Sequence, residues 1–175
     1  RDGMPSRAAG LRGLFWAGGF RGQPAAILAL ALQDVFDAPG SEGSYFDQGS
    51  AAYSLACVAT GRLDAFVDPG AAILEAVPDI RPVWERIGGG KALNTVTYDV
   101  AAAGLYATEC GAIVTDARGP FEEIPLLDED GKASEVATIA AGNPDVHERL
   151  VEAFARGTQR VRSVVEELGV EPFEV

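Results

Sequence analysis

The residues of this chain with the clearest chemical potential are oxygen donors. Asp99 opens a predicted helix with Tyr98, and small residues follow it (Ala101, Ala102, Ala103, Gly104), so this helix can pack closely on a neighbour. A carboxylate in a first helical turn is held by backbone N–H groups and the helix dipole. Carboxylates are also the hard ligands that Mg²⁺ takes, with water and phosphate, in a near-octahedral array. Gly49, Ser50 and Ala51 start a second predicted helix, where unpaired N–H groups favour an anion. Asp68 ends a predicted strand just before Pro69-Gly70. Spacing alone gives each a structural role: Asp99 and Ser50 cap helices, and Asp68 is a strand-end carboxylate.

Other chemistries lack their parts. His147 is the sole histidine, placed by periodicity on the polar face of the last helix, so neither a histidine-rich metal site nor a Ser/His/Asp triad is expected. Metal-activated water is the remaining route to hydrolysis. Gly88-Gly89-Gly90-Lys91 is not a P-loop, because Glu85 stands where that motif needs its first glycine and Ala92 where it needs Ser or Thr. Lys91 could reach a phosphate but reads first as a solvated loop residue. Cys57 and Cys110 lie in apolar helical stretches without CxxC spacing and read as two small buried thiols. Arg62 and Asp64 read as an internal turn and ion pair.

The elements that must position these residues alternate between strand and helix. Strands are expected at Leu14–Phe20, Tyr45–Phe46, Leu63–Asp68, Ala112–Thr115 and Val136–Ala141. Helices are expected from Pro24 at the first helical position to about Phe36, over Ala51–Thr60 with Gly61 as the stop, and over Tyr98–Glu109 with Gly111 as the stop. A helix capped by Asn143 closes at Gly169. Residues 71–87 read as two short helices or one kinked helix, since Pro78 and Pro82 argue against a straight rod. Phe121–Lys132 is an acidic loop. This alternation predicts an α/β fold, a layered sheet-and-helix sandwich in a single domain over 1–175.

The formal net charge of -12 repels nucleic acid, and no Lys/Arg cluster offers a phosphate-tracking stripe. Such a chain needs a cation to handle phosphate esters. The longest apolar run, Pro24–Leu32, is about half a membrane span, and Arg1-Asp2-Gly3-Met4-Pro5 lacks the pattern of a signal peptide. A cytoplasmic location without membrane attachment is therefore expected. A start at Arg1 rather than Met suggests residues upstream.

Two segments carry a family resemblance. Gly49-Ser50-Ala51-Ala52 leads into a helix and Thr60-Gly61-Arg62-Leu63-Asp64-Ala65-Phe66-Val67-Asp68; Tyr98-Asp99-Val100-Ala101-Ala102-Ala103-Gly104 leads to Gly111-Ala112-Ile113-Val114-Thr115-Asp116-Ala117-Arg118-Gly119. Together they resemble the C-terminal half of the inositol monophosphatase family, magnesium-dependent phosphatases of small phosphate esters. The resemblance implies that Asp99 ligates a catalytic metal, with Tyr98 in place of the family's tryptophan. It further implies that Gly49, Ser50 and Ala51 line the substrate site. It sets Asp68 where a glutamate usually meets a substrate hydroxyl, one methylene shorter here.

Residues 71–96 form an insertion relative to better-known members. The family's Asp-Pro-x-Asp-Gly-Thr loop, which carries metal ligands in the N-terminal half, does not occur in this chain. The reading is hydrolysis of a small phosphate monoester with Mg²⁺, needing that other half for full activity. The alternative is a non-catalytic binding or interaction module on the same fold. A homodimer is the default expectation for assembly.

Overall fold

The computed structural model describes Ser6 and residues 8–19, 22–121 and 124–173. The predicted strand end at Phe20, the N-terminal pentapeptide and Glu122-Glu123 of the acidic loop lie outside the described residues.

Six strands form one sheet: β1 (Phe15–Gly18), β2 (Ser44–Phe46), β3 (Ala65–Asp68), β4 (Ile113–Asp116), β5 (Gly119–Pro120) and β6 (Thr138–Ala141), in the order β2-β1-β3-β6-β4-β5. β1 runs parallel to both β2 and β3, whereas β3–β6, β6–β4 and β4–β5 are antiparallel. Successive side chains alternate between faces, so register sorts the core in two. Trp16, Val67 and Ile139 face one side; Ala17, Phe66, Val114 and Ala140 face the other.

The helices are α1 (Ala25–Ala31), α2 (Gln33–Asp37), α3 (Ala51–Ala59), α4 (Gly70–Ala76), α5 (Arg81–Ile87), α6 (Thr97–Glu109) and α7 (Pro144–Leu168). Ile27, Leu28, Ile73, Trp84, Leu150 and Val161 bring α1, α4, α5 and α7 onto the Trp16 face. Leu55, Val58, Val100 and Ala107 bring α3 and α6 onto the Phe66 face. A strand buried on both faces reads as a continuous apolar run. The result is a layered α/β/α sandwich, the expected fold class.

Local chemistry explains most boundaries. Asn143 accepts from the Val146 N–H at 3.0 Å and starts α7, and Gly169 ends it with φ +70°. Gly61 and Gly111, at φ +67° and +90°, follow α3 and α6. Gly157 lets α7 lie against α1, since a Cβ there would stand 1.6 Å from the Ala31 carbonyl oxygen.

The expected helix from Pro24 to Phe36 is instead two, broken at Leu32 (φ -101°, ψ 13°), with Pro24 as the cap and not the first helical residue. Arg160 of α7 draws on the Leu30 carbonyl at 2.9 Å beside the break. Asp64 accepts from Ser6 Oγ and from the Phe15 N–H rather than pairing with Arg62, so it ties the N-terminal segment to the sheet. His147 is not a solvated polar-face residue: its Nε2 lies 2.8 Å from Thr115 Oγ1, and burial pushes its pKa below the ordinary value, partly offset by a backbone hydrogen bond at Ile139. Cys57 is buried, Cys110 only partly so, and both are free thiols. The short strand β5 carries no sequence signal and forms because Thr115 pairs with Pro120 across a tight turn. No helix among the described residues is long and apolar enough to cross a membrane.

Candidate active site

From β1 the chain reaches β2 through α1 and α2 on one face of the sheet, then reaches β3 through α3 on the other. Where connections diverge in this way, a crevice opens beyond the carboxyl ends of the parallel strands. A cleft of about 140 Å³ lies there. It is lined by Gly18 and Gly19 at the carboxyl end of β1, by Asp47, Gly49, Ser50 and Ala51 after β2, and by Asp68 at the end of β3; Gln23, Phe66, Leu93, Asn94, Thr95 and Asp99 complete it. Gly49, Ser50, Ala51, Asp68 and Asp99 therefore share one cavity.

Gly49 adopts φ +62°, and nothing stands within 4 Å of where its Cβ would be, so its face toward the cleft is open. Its N–H donates to Asp47 Oδ1 at 2.9 Å, a side-chain turn that fixes the loop. Ser50 is extended (φ -148°) and its Oγ accepts from the Tyr53 N–H at 3.3 Å, so it caps α3 while lining the cleft.

Asp99 is the third residue of α6 and is exposed. It accepts from the Val96 N–H at a long 3.4 Å, so capping leaves most of the carboxylate's hydrogen-bonding capacity for the cleft. The start of α6 is anchored by its neighbour Thr97, whose N–H donates to the Ser134 carbonyl at 2.9 Å and whose hydroxyl donates to the Leu126 carbonyl at 2.8 Å.

Asp68 is different in kind. It is 3% exposed, Oδ2 accepts from Thr95 Oγ1, and Oδ1 accepts from Gln23 Nε2 at 3.3 Å. Burial drives its pKa above the ordinary carboxylate value of 3.8, while the hydrogen bonds from Thr95, Gln23 and the Gly70 N–H pull the other way. Gln23 Nε2 also reaches Asn94 Oδ1 at 3.4 Å, and Asn94 Nδ2 donates to Glu135 Oε2 at 3.0 Å.

Residues 71–96 reach the cleft through Leu93, Asn94 and Thr95 rather than through Lys91. Trp84 of α5 holds this stretch by donating from Nε1 to the Leu93 carbonyl at 3.1 Å. Sequence reasoning missed Asp47, Gln23, Asn94 and Thr95. Asp47, two residues before Gly49, has the pattern of a side-chain turn and was open to detection; the other three depend on contacts between distant segments.

The donor chemistry suits a hard cation, since Asp99 and Asp47 both offer carboxylate oxygen. The number does not: among the described residues, no three His, Cys, Asp or Glu side chains come together as a metal site. Two carboxylates without further protein ligands do not fit a resident Mg²⁺.

A layered α/β domain with a small polar cleft at the switch point of its parallel strands is the class that fold and site define. The model of the inositol monophosphatase family matches residues 24–159, and the chain belongs to that family. A comparison with curated protein sequences gives no match.

Among solved structures, the extragenic suppressor protein SuhB from Bartonella henselae is similar at 25% identity and TM-score 0.56, over 87% of this chain and 45% of that one. SuhB of Mycobacterium tuberculosis is similar at 22% identity and TM-score 0.53, over 86% and 44%. Staphylococcal IMPase-II shares the fold at 16% identity and TM-score 0.57, over 90% and 49%. The chain thus spans somewhat less than half the length of these relatives.

Proposed function

We propose that this chain supplies the substrate side of a magnesium-dependent phosphatase that hydrolyses a small phosphate monoester. In this reading Asp99 contributes one ligand to the metal, and Gly49, Ser50 and Ala51 line the substrate site at the start of α3. Further ligands come from outside the described residues. The observation that carries the reading is the convergence of Gly49, Ser50, Ala51 and Asp99 on one cleft at the switch point. A relative of the same fold is described as an IMPase/NADP phosphatase complexed with NADP and Ca²⁺, and another as inositol monophosphate-bound SaIMPase-II. Both names print a small phosphorylated ligand, and the first prints a divalent cation as well.

Asp68, placed by the resemblance where a substrate hydroxyl is met, lines the same cleft, with one oxygen accepting from Gln23 and the other from Thr95. A homodimer and a cytoplasmic location remain part of the proposal as family defaults.

The test is hydrolysis of inositol 1-phosphate by the intact protein with and without Mg²⁺, with Asp99→Asn as the variant. The reading expects Mg²⁺-dependent turnover that falls by orders of magnitude in Asp99→Asn while the circular dichroism spectrum is unchanged. Turnover equal to wild type would remove Asp99 from the metal site. No turnover by the intact protein in Mg²⁺ would leave the non-catalytic module as the better account.

A further inference from the structure

Asp68 occupies the end of β3, yet the fold has turned it inward. Thr95 donates to one of its oxygens and Gln23 to the other, and the carboxyl is 3% exposed. The orientation of Gln23 follows from its neighbours: Asn94 spends its Nδ2 on Glu135 and so presents Oδ1, leaving two acceptors that Gln23 can meet only with its amide nitrogen. Glycines at two neighbouring positions leave room for these side chains. A Cβ on Gly70 would lie 2.6 Å from Gln23 Nε2 and 2.8 Å from Asn94 Oδ1, and one on Gly19 would lie 3.3 Å from Asp68 Oδ2. These contacts pin the last of residues 71–96 over the carboxyl end of β3. What lines that part of the cleft is then Leu93, 44% exposed, with the uncharged Asn94 and Thr95.

We propose that Asp68 is a positioning residue that clamps Thr95, and that Leu93 and its neighbours form the specificity wall of the cleft. The wall accepts a phosphate ester by the shape and apolar surface of its leaving group, not by reading its hydroxyls with a carboxylate. Asp47, after β2, and Asp99, in the first turn of α6, line the same cleft. The inference rests on the phosphatase reading and adds the substrate class to it.

The experiment compares kcat/KM of the intact protein in Mg²⁺ for inositol 1-phosphate and for cyclohexyl phosphate, which has the same ring without free hydroxyls. The wild-type ratio is expected within about threefold of unity, because no charged acceptor on this wall rewards the hydroxyls. Asp68→Asn leaves that ratio unchanged. Thr95→Val raises KM for both esters alike, and Thr95→Ser, which keeps the hydroxyl, restores it. Leu93→Ala shifts the ratio against cyclohexyl phosphate by about threefold as apolar contact is lost.

A wild-type preference for inositol 1-phosphate above about tenfold that vanishes in Asp68→Asn would show a charged hydrogen bond to substrate and overturn the inference, with the phosphatase reading intact. Hydrolysis of neither ester would sink both. Should Asp68→Asn fail to fold, Leu93→Ala decides alone, and an unchanged ratio overturns the proposal.

Discussion

At the scale of residues, the cleft combines local grammar with long-range accident. Ser50 caps a helix, Gly49 supplies a left-handed turn, and Asp99 sits in a first turn; each is visible in the sequence because the cause lies within three or four residues. The partners of Asp68 are not visible, since Gln23 lies 45 residues away and Thr95 27 residues away. That burial has a consequence for stability. The folded state holds a proton on Asp68 above 3.8, where the unfolded chain has released it. From 3.8 up to the raised native pKa the native state binds more protons, so stability falls as pH rises through that window. Asn fits the same contacts, accepting from Gln23 and donating to Thr95 Oγ1, and has nothing to ionise. Asp68→Asn is therefore expected to flatten the decline above pH 3.8 and raise the neutral-pH urea midpoint relative to its acid value. Parallel urea titrations at several pH values measure this; a steeper decline in the variant would mean that the charged form is the one the fold prefers.

At the scale of elements, helix and strand existence follow from periodicity, and the misses come from tertiary contact. The apolar run after Pro24 has the pattern of one helix. The break at Leu32 belongs to the seam with α7, where Arg160 reaches the Leu30 carbonyl and Gly157 faces the Ala31 carbonyl. The prolines of residues 71–87 announce a broken or kinked helix, but the task of carrying Leu93–Thr95 into the cleft is not legible. The α1–α7 seam makes a sharp prediction. Gly157→Ala puts a methyl group into space held by backbone, which cannot rotate away, and is expected to destabilise the protein by about 1–3 kcal/mol. Gly119→Ala, whose methyl would meet nothing within 4 Å, should stay within about 0.5 kcal/mol of wild type. Asn143→Ala removes the α7 cap and a donor to the Ala8 carbonyl, for an expected loss of about 1–2 kcal/mol. Chemical denaturation of the three variants side by side reads all of this, and equal midpoints for Gly157→Ala and Gly119→Ala would refute the seam.

At the scale of the whole molecule, charge and ligand count set what the cleft can do unaided. A chain with formal net charge -12 repels a phosphate ester, and a bound cation is the direct way to reverse the local potential. Mg²⁺ sheds its water reluctantly and wants several hard oxygens in fixed array. The cleft offers Asp99, whose contact to the Val96 N–H is long, and Asp47, one of whose oxygens already accepts from the Gly49 N–H. With no three-donor cluster among the described residues, these 175 residues by themselves are expected to bind Mg²⁺ no tighter than about 1 mM, equivalent to about -4 kcal/mol. Calorimetric titration at low ionic strength is the direct measurement. Thermal melts in MgCl₂ against NaCl of equal ionic strength provide the control, because a ligand held by the native state raises the melting temperature beyond any screening effect. Flat titration and matched melts place the missing ligands outside this stretch of polypeptide, in keeping with a chain that spans under half the length of its relatives. A saturable micromolar site lost in Asp99→Asn would mean that two carboxylates and nearby backbone oxygens suffice, and the metal chemistry would then belong to this chain alone.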